Sequence, residues 1–187
     1  HPLAKMYWNE TTQQPASDNP FLNVTAKHPF NVFHDFNHEN AFTKAYVKKT
    51  LEYWINEFRI DGFRFDLSKG FTQFDSGSNV NLWGNYDASR VATLKDYGDY
   101  LWGVDPESIL ILEHFADNSE ETELANYGFM FWGNVHNGFK QSALGFSSES
   151  DVAWLSYQQR GWNNPHVLGY MESHDEERIM HEIENFG

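Results

Sequence analysis

The chain has 187 residues, with 13 Lys plus Arg against 27 Asp plus Glu and a net charge of −14. That balance argues against nucleic acid and anionic membrane surfaces as partners, because both recruit basic patches. There is no cysteine, and no apolar run is long enough for membrane insertion or a signal peptide, so disulfide frameworks, thiolate chemistry and a spanning helix drop out. Aromatic residues make up 17%, including seven Trp and nine Tyr. Several sit beside amides in loop-like stretches (Trp83-Gly84-Asn85-Tyr86, Gly161-Trp162-Asn163), a pairing of flat rings with hydrogen-bonding edges that suits sugars.

Residues 1–38 are rich in Asn, Pro, Thr and His without periodicity, and read as a long irregular excursion. From 39 to 58 the pattern is helical: Phe42, Ala45, Tyr46, Leu51, Trp54, Ile55 and Phe58 recur at spacings of three and four and predict one core-facing stripe. Asn37 or Asn40 is the expected cap. Residues 59–67 read as a strand, 70–86 as loop and 87–103 as helix. The apolar run Ser108-Ile109-Leu110-Ile111-Leu112 predicts a strand buried on both faces. Beyond it come a short helix over 119–126, a strand over 129–132, a helix over 151–159 and a strand over 167–171. Strands alternating with helices imply a parallel sheet, with the chemistry at the carboxyl ends of its strands.

Those ends carry Asp66, Glu113 and Asp175. In a strand Arg64 and Asp66 share one face while Phe63 and Phe65 share the other, so the arginine holds the carboxylate as an oriented anion. A structural ion pair is the competing explanation. Glu113 follows four aliphatic residues, where partial desolvation raises a carboxyl pKa. One ionised and one protonated carboxyl group in a cleft is the apparatus of retaining glycoside hydrolysis. The competing uses are a divalent cation site, or a solvated strand end with His174-Asp175 as a helix cap. His34 and His38 stand four apart, but in loop, where a shared metal is not expected.

Three segments, Gly62-Phe63-Arg64-Phe65-Asp66-Leu67-Ser68-Lys69, Ile111-Leu112-Glu113-His114-Phe115 and Ser173-His174-Asp175, resemble signature regions of the α-amylase family, glycoside hydrolase family 13. A fourth, His34-Asp35-Phe36-Asn37-His38-Glu39-Asn40, is similar to the family's region where the loop domain after barrel strand three rejoins the barrel. The resemblance implies an α/β fold of (β/α)8 TIM-barrel type, here incomplete. Residues 1–38 would close the inserted loop domain and 39–187 would form a partial catalytic barrel. It implies a retaining mechanism on α-glucosidic bonds of starch-like α-glucans or maltooligosaccharides, with Asp66 as nucleophile, Glu113 as acid/base and Asp175 as transition-state stabiliser. Arg64 and His174 would contact the nucleophile or the first sugar, Lys69 would reach the leaving-group side, and Trp83 and Tyr86 would serve as sugar platforms. No cofactor is required; the resemblance allows a calcium ion, which Asp35 could help bind as in some relatives. An α-glucan transglycosylase of the branching-enzyme type uses the same three carboxylates, and a non-catalytic carbohydrate-binding relative is the third alternative. Departures from the pattern are Gly70, where many relatives have histidine, Ser173, where asparagine often stands, and the absence of the strand-three Asp-x-x-x-Asn-His. A barrel of roughly 250 residues would need further strands on both sides, so the segment alone is expected to be inactive. A polymer substrate would fit a secreted or periplasmic setting, though nothing in the sequence fixes the compartment.

Overall fold

The computed structural model describes residues 2–30 and 33–187. Its opening stretch is less irregular than expected: helix α1 (Pro2–Met6) precedes a small antiparallel pair, β1 (Trp8–Asn9) and β2 (Gln14–Pro15). Helix α2 (Ala41–Phe58) starts where the Asn40 side chain accepts from the Phe42 N–H and stops at Arg59, which is left-handed at φ 55.

The centre is a four-stranded parallel sheet of β3 (Gly62–Phe65), β4 (Ile109–Leu112), β5 (Met130–Asn134) and β6 (Val167–Tyr170), in that spatial order. Helices α3 (Val80–Gly84) and α4 (Ala88–Val104) link β3 to β4, and α5 (Asn118–Tyr127) links β4 to β5. Helices α6 (His136–Ala143) and α7 (Tyr157–Arg160) lie between β5 and β6, with α8 (Ile179–Phe186) last. Strand neighbours in chain order joined by helices are what a parallel α/β unit requires. The four strands form a parallel α/β sheet of the kind that part of a (β/α)8 barrel would contain, without closing into a barrel. Gly62 is obligatory where β3 begins, because a Cβ there would stand 2.0 Å from the Ile109 carbonyl oxygen.

Leu94, Tyr97 and Leu101 of α4 pack with Leu110 and Leu112 of β4, Leu124 of α5 and Phe131 of β5 in the core. The expected α2 stripe is only partly covered. Leu51 and Ile55 are buried, whereas Phe42, Tyr46, Trp54 and Phe58 are exposed, which corrects the assignment of Trp54 and Phe58 to the core. Periodicity marks an apolar face but not what lies over it, and this face borders β3, the end strand of the sheet. Strand β4 likewise leaves Ile109 exposed. The helix expected over 151–159 is broken. Ser156 is extended at ψ 114 and caps a new start with its side chain, leaving a short 3-10 turn at Ala153–Leu155 and then α7. Helix α6 falls outside the elements predicted from the sequence; it carries Gly138, where a Cβ would meet the Asp151 carbonyl at 2.5 Å.

One buried ion pair ties α5 to α7: Arg160 Nη1 lies 2.8 Å from Glu121 Oε2. Burial pushes the Glu121 carboxyl up to about 7, against the attraction of Arg160 and a hydrogen bond from the Ala116 N–H. Below its unfolded value near 4.5 the group is protonated in both states and costs nothing. As pH rises towards 7 the unfolded chain releases its proton first, so the fold loses stability. Relative to Glu121→Gln, the wild-type chain should therefore lose about 3 kcal/mol between pH 4.5 and 7. Urea midpoints of both proteins across that range check this; parallel curves would show that the pair stays charged throughout.

Candidate active site

Strand β3 ends in Asp66 and β4 in Glu113, and the ladder pairs Phe65 with Leu112 one step before them. Both carboxylates therefore emerge side by side from neighbouring parallel strands. As the period-two reading expects, Phe65 is buried and Phe63 packs against the core, while Arg64 faces the other way. Arg64 does more than hold Asp66. Its Nη1 pairs with Asp66 and its Nη2 lies 2.7 Å from Glu113 Oε2, so one guanidinium bridges both carboxylates. The guanidinium also stacks 3.9 Å over the Trp132 ring of β5. Asp66 itself is 77% exposed at its side chain, far more open than an inward-facing buried pair.

Glu113 is mostly buried and accepts from the Leu67 N–H at 2.9 Å. Burial raises its pKa; the Leu67 N–H and Arg64 oppose that, and the nearby Asp66 charge adds to it. Leu67 and Phe115, which follow the two carboxylates in their loops, are left-handed at φ 46 and 53. Non-glycine residues in that region cost on the order of 1–3 kcal/mol each and persist only where the surroundings impose them.

Those surroundings are a buried polar network that the sequence reading missed. Ser68 donates from its N–H to the Glu113 carbonyl at 2.9 Å, and its hydroxyl lies 3.0 Å from the same carbonyl and 2.9 Å from His114 Nδ1. His114 Nε2 lies 2.7 Å from Glu120 Oε1, and Arg90 grips Glu120 with Nε and Nη2 at 2.6 and 2.7 Å. Arg90 also donates to the carbonyls of Lys69, Trp83 and Asn85. Burial lowers the His114 pKa, and hydrogen bonds from His114 and Arg90 outweigh burial to hold Glu120 low. A neutral histidine thus bridges a hydroxyl and an ionised carboxylate, and the loops after β3 and β4 are locked together. The available signal was Arg90 itself, a charge at spacings of four, three and four with Leu94, Tyr97 and Leu101 on an otherwise apolar helix face.

His174 and Asp175 follow β6 on an exposed loop, with His174 Nε2 3.3 Å from Asp175 Oδ2. The His174 ring meets Trp132 edge-on at 6.5 Å, and Trp132 meets Tyr170 at 4.9 Å. Burial and the charges of Glu176, Glu113 and Asp175 together push the Tyr170 hydroxyl up to about 12. Trp132 and Tyr170 thus link the β3–β4 carboxylates to the loop after β6.

The other expected contacts need correction. Lys69 is buried, donates to the Phe115 carbonyl at 2.9 Å and lies 4.2 Å over the Trp83 ring; burial lowers its pKa. It clamps the loop after β4 rather than reaching outward. Trp83 is 2% exposed and stacked on His28 at 5.0 Å, so it offers no sugar platform. Trp162 is likewise core. Tyr86 is exposed but donates to Glu123 at 2.7 Å and lines a separate cavity with Leu82 and Asn85. The cavity that does contain Asp66 is walled by Leu67, Phe71, His28, Phe30, His34 and Phe36. His34 and His38 part company: the first ring meets Trp8, the second bonds Tyr97. Burial lowers His38 to about 4. Asp35 accepts from Asn23 and the Lys27 N–H, and no group of three or more metal-ligating side chains occurs among the described residues.

No protein-family model matches the chain. Among curated proteins, a 1,4-alpha-glucan branching enzyme GlgB of Desulfitobacterium hafniense is 21% identical over 65% of this chain and 18% of its own length. One from Picrophilus torridus is 23% identical over 91% of the chain and 25% of its length. The 1,4-alpha-glucan-branching enzyme 2-2 of Arabidopsis thaliana is 24% identical over 75% of the chain and 19% of its length. All three are α-glucan branching enzymes by name, and the parallel sheet is compatible with a common fold. The similarity supports a fragment of the α-amylase family, glycoside hydrolase family 13, and the chain spans about a fifth to a quarter of the length of these relatives. Among the described residues no helix is long and apolar enough to cross a membrane.

Proposed function

We propose that the protein carrying this segment breaks α-glucosidic bonds with retention, through a glucosyl ester on Asp66. Glu113 gives its proton to the departing sugar oxygen, then takes one from the incoming acceptor. The observation that supports this most directly is the single Arg64 guanidinium bridging the Asp66 and Glu113 carboxylates, with burial raising the latter. Asp175, with His174 beside it, grips ring hydroxyls and stabilises the positive charge that develops on the sugar. The acceptor separates the two outcomes: water gives hydrolysis, and a glucan hydroxyl gives transfer. The curated relatives are branching enzymes, and their names favour transfer over the hydrolysis that the signature regions alone suggest. Amylose incubated with the protein should therefore gain branch points, detected by isoamylase release of short chains, with little new reducing sugar before debranching. Reducing ends appearing without branches would restore the hydrolase reading.

A further inference from the structure

We infer that the cavity at the carboxyl ends of β5 and β6 is an outlying α-glucan subsite, with Trp154 as its ring platform. This deepens the proposed function and rests on it. The cavity measures about 410 Å³ and is lined by Asn134, Asn137, Glu149, Asp151, Trp154 and Glu176. Asn134 ends β5 and pairs with Tyr170 of β6, so the cavity opens at the same end of the sheet as Asp66 and Glu113. Glu176 directly follows Asp175 in the chain. The cavity containing Asp66 lies on the β3 side, so a linear polymer crossing from β3 to β6 passes the carboxylates and meets this second hollow.

Trp154 is held and yet uncovered. Its carbonyl accepts from Arg160 Nε at 2.6 Å and the guanidinium lies 4.5 Å from its ring, while the residue stays 50% exposed. Orienting an indole while leaving it open to solvent costs apolar burial that a ligand would restore. Amides and carboxylates dominate the rest of the lining, beside Val135, His136 and Gly138, and Asn134 donates to Glu176 within the wall. A flat ring beside acceptors and donors fits the C–H face and hydroxyl edge of a glucosyl unit, whereas the carboxylates here form no metal-ligating group among the described residues. The sequence reading placed platforms at Trp83, which is core, and at Tyr86, which lines another cavity; the open tryptophan at this cavity is Trp154, in the 3-10 turn Ala153–Leu155.

The test is chain-length dependence in the protein carrying this segment. Trp154→Ala should lower the ratio of kcat/KM on long to short maltooligosaccharides about fivefold, and Trp154→Tyr should restore most of it. An unchanged ratio in folded Trp154→Ala overturns the subsite. Because Trp154 also braces Arg160, Asn137→Ala serves as a second probe should the first variant fail to fold. It must lower the same ratio, and an unchanged ratio overturns the proposal. Maltoheptaose binding to the Asp66→Asn form, followed by intrinsic fluorescence, separates the two readings. Turnover retained by Asp66→Asn defeats the nucleophile assignment, while weakened maltoheptaose binding on adding Trp154→Ala still supports the subsite.

Discussion

Asp66→Asn is expected to lower α-glucan turnover by about four orders of magnitude or more while leaving the fold intact, because under the proposed mechanism it removes the nucleophile from a largely exposed position. The side chain is 77% exposed and its contacts are the Arg64 guanidinium and the Glu113 carboxyl, with which an amide can still hydrogen-bond. Far-ultraviolet circular dichroism and the urea midpoint should match the wild type, with the loss confined to kcat. Glu113→Gln should cripple the same step differently. The amide cannot deliver a proton, but a substrate with a good leaving group does not need one, so activated aryl glucosides should form the ester readily and stall at its breakdown. The raised Glu113 pKa fixes the direction of the pH profile: activity falls on the alkaline side as Glu113 gives up its proton. Near-normal activity of Asp66→Asn on amylose would remove Asp66 from the nucleophile role.

The parts of this site that were legible in the sequence are those governed by short-range geometry. Period-two alternation places Arg64 and Asp66 on one face whatever surrounds them, and an aliphatic run ending in Glu113 specifies a carboxylate at a strand end. The order of the four sheet strands and of helices α2, α4 and α5 followed from alternating patterns for the same reason. Lys69 and Trp83 were misassigned because their environments come from far along the chain: His28 stacks on Trp83, and Phe115 supplies the carbonyl that holds Lys69. Local composition says that a tryptophan sits beside glycine and asparagine, not what packs upon it. The second partner of Arg64 was hidden likewise, since Glu113 lies 49 positions away and meets it only through the β3–β4 register. The apolar stripe of α2 shows the opposite failure, a local pattern read correctly as apolar yet covered at only part of its length.

Arg90→Met is expected to destabilise the fold by about 3–5 kcal/mol, the largest stability effect of any single substitution considered, because it strands a buried carboxylate. Arg90 is 1% exposed and Glu120 is fully buried; the pair is bidentate, and three backbone carbonyls lose a donor with it. Once Arg90 is gone, His114 is the cation-capable neighbour left within bonding distance of Glu120. Folding then draws a proton onto either the carboxylate or the imidazole, so the variant's stability should fall more steeply with rising pH than the wild type's. Removing both charges in Arg90→Met/Glu120→Leu should recover much of the loss, as expected where the penalty comes from an uncompensated charge rather than from lost attraction. The double variant should nevertheless be poorly active. His114 would lose its Glu120 partner and hold Ser68 less firmly, and the Leu67 and Phe115 backbones beside Asp66 and Glu113 sit in left-handed conformations that such bracing sustains. Urea unfolding of the three variants reads the first effect and kcat on amylose the second. A double variant that recovered stability and full activity together would show that the network supports the fold without positioning the carboxylates.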